Sequence, residues 1–527
     1  MDNFSRSQTV RKAVIATRGG VVATAHRRAA EVGAAVLEAG GDAVDAAVAV
    51  SFAIGVVEPW MSGPAAGGAM VLWRAGENRA RVVDYGMRSP GALDPADYPL
   101  TGGAPAKDLF TWPAVLDDRN IEGATAVAVP GVVSGMGLAH AEYGRLPWQE
   151  LLAPAVGLAR EGLLTDWYSA LLTTSVARSL AKDPDAAKMF LDDGIWPICG
   201  AWTTMSDRHL DQSAMAATLE QLARHGPRAF YEGDVARALV ADLRAKGSVL
   251  SEQDLAGYQA RFVDAQAVPY RDGRIYVAPG LTGGPTLAQA LGILEGQLVP
   301  APGTPGPASY VAYARALDDA YTTRLAGFGD AGVVEAAQAP SCTTHFSIVD
   351  RHGNMCAVTQ TLLSIFGSRV VSPSTGLLMN NGIMWFDPEP GKPNSLGPNK
   401  RCLGNFCPVV GEAADGRRFA LGASGGRKII GTVLQIASFM LDHGMTLEEA
   451  FHQQRIDMSG SGKVTADRTL PEPVLGALSA AFPTSTAPRT TFPYAFACPA
   501  AVLREGEQNM GCTEIMSPWG DAVAERV

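Results

Sequence analysis

The sequence predicts a mixed α+β protein, because two long stretches of the chain differ in the spacing of their apolar residues. From about 145 to 330, apolar residues recur at helical spacing. The helical segments there are 151–161, 215–224, 235–245, 285–295 and 310–325. From 344 onward, alternating and β-branched runs favour strands instead. A chain of 527 residues is long enough for two or three domains or for one large unit.

Two helices are predicted near the start of the chain. The Ala-rich run 29–39 ends at Gly40 and Gly41, a frequent C-terminal signal of a helix. Asp42 is a suitable N-cap for the next helix, over 43–54. That second helix is apolar almost all round, so we expect other elements to enclose it.

Strands are predicted in pairs. Segments 69–73 and 81–84 flank a Gly-Glu-Asn turn, after the glycine-rich stretch that follows the second helix. Segments 345–349 and 355–359 are joined by the turn 350–354, which favours a hairpin. A further strand at 418–421 precedes a predicted helix at 429–441.

Composition excludes several classes of protein. The chain is 47% apolar and 18% charged, which is typical of a folded globular protein. A net charge of −10 disfavours nucleic acid and anionic lipid as partners. The longest apolar run, 43–57, contains Asp45 and is too short to span a bilayer. The N-terminus lacks the apolar core of a signal peptide, so we expect a cytoplasmic protein without a membrane segment.

The seven cysteines include no C-x-x-C pair, so the sequence suggests neither a zinc site nor a disulfide framework. An odd and sparse set of cysteines is typical of a reducing compartment. We therefore predict no metal and no cofactor.

The first candidate nucleophile is Ser424, in the G-x-S-x-G segment 422–426. A nucleophile elbow of this kind also needs an acid and a histidine downstream, for which Glu448 or Glu449 and His452 are available. These acids lie within four residues of that histidine, and no His-Gly-Gly motif precedes them. A glycine-rich turn between a strand and a helix is therefore the favoured interpretation.

The second candidate is Thr343, where the weakly patterned stretch 329–340 meets a predicted strand. That stretch has the character of an exposed loop that can be cut. Cleavage of the bond between Cys342 and Thr343 would give Thr343 a free α-amine, which can act as general base for its own hydroxyl. A structural threonine at the start of a strand is the alternative.

Six motifs, in order from about residue 18 to the end, resemble the γ-glutamyltransferase family of N-terminal nucleophile hydrolases. They are GGDAVDAA at 40–47 within 33–58, VAVPG at 127–131, the segment 154–162, TTH at 343–345, GPNKR at 397–401, and the segment 422–427. Their order and spacing make the resemblance specific.

The resemblance implies a precursor that cuts itself into an α chain, 1–342, and a β chain, 343–527. Both chains would build one α+β unit, the four-layer αββα N-terminal nucleophile hydrolase fold. A homodimer of such αβ units is left open. The expected reaction is acyl transfer from a small amide to the threonine hydroxyl, followed by release with water.

The resemblance also assigns the catalytic roles. Thr343 is implied as the nucleophile, and Thr361 as the second threonine that orients it. Gly425 and Gly426 match the paired glycines whose N–H groups form the oxyanion hole. The G-x-S-x-G pattern is then a by-product of that glycine pair.

The sequence departs from the family at the positions that bind glutamate. Relatives hold the α-carboxylate and α-amine with an Arg after Asp-aromatic, an Asn two residues after the second threonine, an Asp after Asn-Asn-Gln, and paired serines. This chain has Gly86, Leu363, Trp385, Gly404 and Asn405 there. A γ-glutamyl ammonium group would face apolar side chains, which is unfavourable. The bulky residues predict a short acyl group.

Arg88, two residues after the missing Arg, is the candidate anchor for one substrate carboxylate; a surface residue after a strand is the other interpretation. With Leu363, Trp385 and Asn405 it forms the predicted binding set. The chain resembles the oxamate amidohydrolase branch, which implies hydrolysis of oxamate to oxalate and ammonia in purine breakdown.

Three alternatives remain open. Within the family they are γ-glutamyl transfer or hydrolysis, and a glutaryl or cephalosporin acylase. Outside it, the chain could be an unprocessed binding protein that has kept the fold without the chemistry. The linker 330–342 is short for the family, which bears on how efficiently the precursor is cut.

Overall fold

A computed structural model describes residues 7, 9–105, 112–200, 205–328 and 341–526. The helices are α1 Arg27–Glu38, α2 Ala43–Val57, α3 Val132–Tyr143, α4 Trp148–Glu161, α5 Trp167–Leu180, α6 Pro184–Phe190, α7 Ser213–His225, α8 Asp234–Ala245, α9 Glu252–Ala256, α10 Gly284–Gln297, α11 Pro307–Phe328, α12 Lys428–Leu441, α13 Leu447–His452 and α14 Glu472–Ala481.

The strands are β1 Ile15–Thr17, β2 Val21–Thr24, β3 Gly67–Arg74, β4 Arg79–Tyr85, β5 Leu100–Pro105, β6 Pro113–Val115, β7 Leu163–Leu164, β8 Leu191–Asp192, β9 Trp196–Pro197, β10 His209–Leu210, β11 Arg261–Asp264, β12 Gln266–Tyr270, β13 Gly273–Val277, β14 Ser341–Val349, β15 Met355–Ser364, β16 Val371–Ser372, β17 Leu377–Leu378, β18 Val409–Glu412, β19 Arg418–Ser424, β20 Ile456–Asp457, β21 Val464–Asp467, β22 Thr484–Ala487, β23 Cys498–Glu505, β24 Gln508–Thr513 and β25 Asp521–Ala524.

Two seven-stranded antiparallel sheets form the centre of the molecule. The first has the strand order β1-β24-β23-β19-β18-β13-β12, and the second has the order β11-β4-β3-β15-β14-β2-β25. Their facing sides enclose an apolar cluster that includes Val71 of the second sheet and Ala420 and Val502 of the first. The sheets therefore pack face to face.

Helices cover the outer face of each sheet. Helices α1 to α3 pack on strands of the second sheet, and α4 to α8 belong to the same buried cluster, which includes Phe346 and Ile348 of β14. Helices α10, α12 and α13 pack on the first sheet, around Phe419 and Leu421 of β19, and α11 and α14 extend this helical layer. This is the predicted four-layer αββα N-terminal nucleophile hydrolase fold.

The predicted helix pair at the N-terminus is confirmed. Asp42 caps α2 through a capping box with Asp45, and every residue of α2 is buried. Gly33 lets α1 approach α2 closely, because a Cβ there would lie 2.6 Å from Val50 Cγ2. These contacts anchor the helical layer on the second sheet, behind the strands that carry the candidate nucleophile.

The interpretation of 145 to 330 as mainly helical was incomplete. The five predicted helices are present, but β11, β12 and β13 lie between them. β11 pairs with β4 at the edge of the second sheet, and β12 and β13 extend the first sheet through β18. β11 and β12 are edge strands and β13 lies next to β12. Short strands at or near a sheet edge carry a weak apolar pattern, which is why helical spacing dominated this stretch.

Both sheets combine strands from before and after Thr343. In the second sheet, β2 lies between β14 and β25, and β3 pairs with β15. In the first sheet, β1 pairs with β24 and β13 pairs with β18. The predicted boundary between α and β chains is thus not a boundary between domains.

Two further expectations concern the chain as a whole. In the part of the chain that the structure describes, no helix is both long and apolar enough to cross a membrane. The predicted loop 329–340 lies outside the described residues.

Candidate active site

Thr343 lies in β14, opposite an irregularity in the neighbouring strand. Cys342 pairs with Leu363 and Thr344 pairs with Gln360, so β15 has one extra residue opposite Thr343. Such a bulge changes the direction in which nearby side chains point. It places the Thr343 hydroxyl 3.3 Å from Thr361 Oγ1, to which it donates a hydrogen bond.

The bulge is held by a strained residue. Leu363 has a φ of 90°, a conformation that costs a non-glycine residue about 1 to 3 kcal/mol. Its N–H donates to Thr361 Oγ1 over 2.8 Å, so Thr361 accepts from both Leu363 and Thr343. The two threonines predicted to act together are therefore brought together.

Thr343 faces the first sheet. His345 lies two residues further along β14 and so points to the same side. Its buried ring packs against Gly422 of β19, where a Cβ would lie 2.3 Å from the ring. Hydrogen bonds with Thr359 (2.8 Å) and Ser347 (2.9 Å) fix the ring, and burial lowers the pKa of His345 to about 3. His345 is thus a neutral spacer between the sheets.

Gly425 and Gly426 form the turn between β19 and α12. Their φ values are 139° and 58°, in the region that favours glycine, and a Cβ on Gly425 would lie 2.8 Å from Ala497 Cα. Among the described residues, neither N–H group has a hydrogen-bond acceptor. Two open donors at the start of a helix are suited to stabilise an oxyanion.

Beneath the nucleophile, Thr344 points to the helical layer. Its hydroxyl donates to Glu58 Oε2 over 3.0 Å, where Glu58 ends α2. Burial raises the pKa of Glu58 to about 8. A carboxyl group that stays protonated near neutral pH therefore lies directly behind the strand that carries Thr343.

A small cavity lies beside the glycine turn, with aromatic and cationic walls. Its lining includes Trp112, Tyr321, Arg324, Trp385, Asn405 and Arg427. Tyr321 of α11 donates a hydrogen bond to the carbonyl oxygen of Arg427, which follows the glycine pair directly. This contact attaches helix α11 to the turn and sets the position of the cavity relative to the open N–H groups.

The structure does not assemble the alternative triad around Ser424. The Ser424 hydroxyl donates to the carbonyl of Cys498 over 3.4 Å. His452 contacts the Glu448 carbonyl at 2.8 Å, and its other ring nitrogen accepts from the N–H of Lys12. In the described residues, Ser424 and His452 share no hydrogen bond, which favours the interpretation of this segment as a turn.

Comparison with known families agrees with this geometry. The family described as Gamma-glutamyltranspeptidase matches residues 29–341 and 331–492. The chain belongs to this family. It is an amide hydrolase of the N-terminal nucleophile class, as the sequence predicted.

Two relatives and one solved structure illustrate what the chain is similar to. The "Acylase ACY 1 proenzyme" of a Pseudomonas species is 33% identical over 493 residues, which cover 88% of this chain and 86% of the relative. The "Glutathione hydrolase proenzyme" of Escherichia coli is 29% identical over 500 residues, 84% and 82% of the two chains. The crystal structure of cephalosporin acylase from Bacillus halodurans has a TM-score of 0.84 at 23% identity, covering 100% of this chain and 99% of its own. The last likeness concerns the fold.

Within the gamma-glutamyltranspeptidase fold, the positions expected to bind a glutamate head group surround one phenyl ring. A Cβ on Gly86 would lie 3.7 Å from Phe406 Cζ, and a Cβ on Gly404 would lie 2.0 Å from the same ring. Trp385 packs edge-on against Phe406 with 5.7 Å between ring centroids, and Leu363 belongs to the same buried cluster. We call Leu363, Trp385 and Phe406 the apolar wall.

Arg88 has other partners than those expected of a carboxylate anchor. Its Nη2 donates to the Asp254 carbonyl over 2.9 Å and its Nη1 to the Gly257 carbonyl over 3.3 Å. Its guanidinium carbon lies 5.9 Å from the centre of the Tyr258 ring. Arg88 is not among the described residues that line the cavity. This geometry gives no support to the predicted role of Arg88.

Several site residues were missed by sequence reasoning. They are Glu58, Arg324, Phe406 and Arg427. Arg324 lies within a helical pattern, where a lone cation usually marks the solvated face. Arg427 ends the quoted motif 422–427, and its place directly after the glycine pair was the one signal available.

Proposed function

We propose that the protein cuts its own chain before Thr343 and then hydrolyses a small amide whose acyl group bears a carboxylate, with oxamate as the first candidate. The observation that carries this proposal is the apolar wall. By the family resemblance, Leu363 and Trp385 of this wall stand at positions where relatives bind a glutamate α-amine and α-carboxylate.

The first step uses the Thr343 hydroxyl on its own chain. Oγ attacks the Cys342 carbonyl carbon, the C–N bond breaks, and the nitrogen takes up the hydroxyl proton to become the α-amine of Thr343. Water then hydrolyses the resulting ester and releases the Cys342 carboxylate. The contact with Thr361 supports this proposal, because it orients the hydroxyl that both steps need.

The second step repeats the attack on an external amide. The free α-amine takes the hydroxyl proton, Oγ bonds to the amide carbonyl carbon, and the amine leaves with that proton. The N–H groups of Gly425 and Gly426 are suited to bind the oxyanion. Water then hydrolyses the acyl-enzyme to a carboxylic acid and regenerates Thr343.

A γ-glutamyl donor would be a poor substrate. Leu363, Trp385 and Phe406 offer no acceptor for an ammonium group, and a buried charge without a partner is unfavourable. Burial of an unpaired ammonium costs several kcal/mol, which lowers kcat/KM for such a substrate by about 1,000-fold or more. The relative at 33% identity is named an acylase, which supports an acylase as the second candidate. A longer acyl acid such as glutaryl is the substrate to test for it.

Two measurements test the proposal. Purified protein should run as two fragments, and N-terminal sequencing of the smaller one should give Thr-Thr-His-Phe. Ammonia release should then be faster from oxamate or glutaramate than release of aniline from a γ-glutamyl anilide. An active protein that remains one uncut chain would contradict the mechanism. Efficient γ-glutamyl transfer to glycylglycine would contradict the proposed substrate, and a folded, uncut and inactive chain would favour a binding protein.

A further inference from the structure

Arg324 of α11 is a buried cation that has only neutral partners. Its side chain is 4% exposed. Nη1 donates to Thr282 O (2.9 Å) and Thr286 Oγ1 (3.3 Å), and Nη2 donates to Gly404 O (2.9 Å) and Asn405 Oδ1 (3.0 Å). Within the described residues, no carboxylate forms an ion pair with it. Burial lowers the pKa of Arg324 to about 10, so the group stays charged at neutral pH.

The remaining donors of this cluster are open. Arginine has five N–H donors, so the four contacts leave the Nε–H of Arg324. Because Asn405 Oδ1 accepts from Arg324, the amide is oriented with its Nδ2 on the other side. Among the described residues, neither Arg324 Nε nor Asn405 Nδ2 has an acceptor. Both residues line the cavity beside the glycine turn.

A second guanidinium lines the same cavity. Arg427 lies next to Gly426, and its charge adds to burial in lowering the pKa of Arg324. The two cations are thus within electrostatic reach of each other. Repulsion between them is unfavourable in a site with aromatic walls, where the local dielectric is low. An anion between them would relieve the repulsion and give Arg324 a charged partner.

We propose that Arg324, Arg427 and Asn405 bind the free carboxylate of the substrate's acyl group, in the cavity bounded by Trp112 and Trp385. This inference rests on the proposed function, since it assumes that the amide enters beside Thr343. The glycine pair that would bind the scissile carbonyl oxygen is continuous with Arg427. A carboxylate in this cavity therefore belongs to the acyl side of the amide.

A structural role for Arg324 is the competing explanation. Its bonds to Gly404 and Asn405 also hold the loop that carries Phe406. A role limited to that loop would affect all substrates alike. A carboxylate-binding role changes only the preference for acids over neutral amides of the same length.

The first experiment uses matched substrate pairs. Each ω-carboxy amide from oxamate to glutaramate is paired with the neutral amide in which methyl replaces the carboxylate. In Arg324→Gln we expect kcat/KM for the acids to fall about 100-fold while the neutral amides change little. Arg324→Lys should recover part of the loss, because lysine restores the positive charge but not the paired donors of the planar guanidinium. Arg315→Gln, an exposed position on the same helix, serves as the control.

A second measurement, binding of a dicarboxylate, tests the same site if the Arg324→Gln protein does not fold. Trp112 and Trp385 line the cavity, so their fluorescence reports its occupation by oxalate or glutarate as probe. Titration of the mature wild-type protein should saturate, and Arg427→Gln should weaken binding of the probe by about 10-fold or more.

Each possible result supports or overturns the proposed carboxylate site. Equal losses for acids and neutral amides in a folded Arg324→Gln protein overturn the inference, as does a selective loss in Arg88→Ala instead. An unchanged titration in Arg427→Gln also overturns it. A wild-type enzyme that hydrolyses none of the carboxy amides rejects the proposed function alone, since probe binding still tests the anion site.

Discussion

The two sides of the candidate site differ in the charge of their side chains. The apolar wall of Leu363, Trp385 and Phe406 carries no charged group, and by the family resemblance Leu363 and Trp385 stand at positions where relatives bind a charged head group. The second side, with Arg324 and Arg427, holds two cations in a cavity that Trp385 also lines, and no described residue of that lining is acidic. One side is therefore apolar, and the other concentrates positive charge.

This difference indicates which substrate groups the site accepts. Binding an amino acid head group requires an acceptor for its ammonium and a donor for its carboxylate. Arg324 and Arg427 offer donors for an anion, and no described residue that lines the cavity is acidic, so the substrate should carry an acid and no neighbouring amine. The following substitutions test whether the two sides have these separate roles.

Removing the Thr343 hydroxyl should have the largest effect, because every substrate, whichever side binds it, reacts with this hydroxyl. Thr343→Ala should remain one chain and show no turnover on any amide. Ser424→Ala is the matched control and should be cut and active, since its hydroxyl donates only to the Cys498 carbonyl among the described residues. Gel electrophoresis and an ammonia assay measure both. Turnover by uncut Thr343→Ala protein would remove Thr343 from the mechanism.

Gly425→Ala should come next. The added Cβ would lie 2.8 Å from Ala497 and the φ of 139° is unfavourable for alanine, so the oxyanion donors should shift. We expect kcat to fall about 100- to 1,000-fold on acid and neutral amides alike. Gly292→Ala, in α10 with no atom within 4 Å of the added Cβ, is the control. Unchanged kcat in Gly425→Ala would place the oxyanion elsewhere.

Phe406→Ala tests the apolar wall by itself. Phe406 is 2% exposed, and loss of such a ring lowers the free energy of unfolding by about 3 to 5 kcal/mol. The vacated space should admit bulkier acyl groups while the preference for acids over neutral amides is retained. Chemical denaturation and the matched substrate pairs measure the two effects, with Val299→Ala at an 82% exposed position as control. Loss of the acid preference would mean that the two sides are not independent.

Glu58→Gln should have the smallest effect, one limited to pH dependence. Burial raises the pKa of Glu58 from 4.5 to about 8. Between these values the unfolded chain has released a proton that the folded protein keeps. The free energy of unfolding therefore falls as pH rises, by up to about 1.4 kcal/mol per pH unit, and this penalty is absent below the unfolded pKa.

The glutamine cannot ionise, so Tm of Glu58→Gln should decrease less than that of the wild type between about pH 5 and pH 8. The acid preference should not change, because Glu58 lies behind β14 and away from both sides of the cavity. Glu77→Gln, at an exposed turn, is the control. Parallel Tm curves for Glu58→Gln and wild type would show that Glu58 is ionised when folded.

The sequence predicted the parts of the fold that depend on local pattern. The α1–α2 pair, the β14–β15 hairpin and the β19–α12 turn follow from caps, alternation and glycine placement. The strands β11 to β13, at or next to a sheet edge, were missed because neighbours across the sheets, rather than their own residues, determine them. The family resemblance supplied the nucleophile and the glycine pair, and their roles remain predictions.

The binding residues were harder to predict than the catalytic ones. Arg88 was chosen because it is close in sequence to a missing arginine, yet its guanidinium binds carbonyls near Tyr258. Arg324 lies on a distant helix, and only tertiary packing brings it to the loop at Gly404. A cation's partners depend on which elements pack together, and spacing along the chain does not contain that information.

The alternation of strands from the two sides of Thr343 has a consequence for the life of the enzyme. A cut before Thr343 leaves β2 hydrogen-bonded on both edges to strands of the other fragment. Before the cut, one continuous chain holds these strands at high effective concentration; afterwards, an unfolded enzyme would have to reassemble from two molecules with exposed strand edges. Activation would thus convert a protein that can refold into one whose lifetime depends on the rate at which it first unfolds.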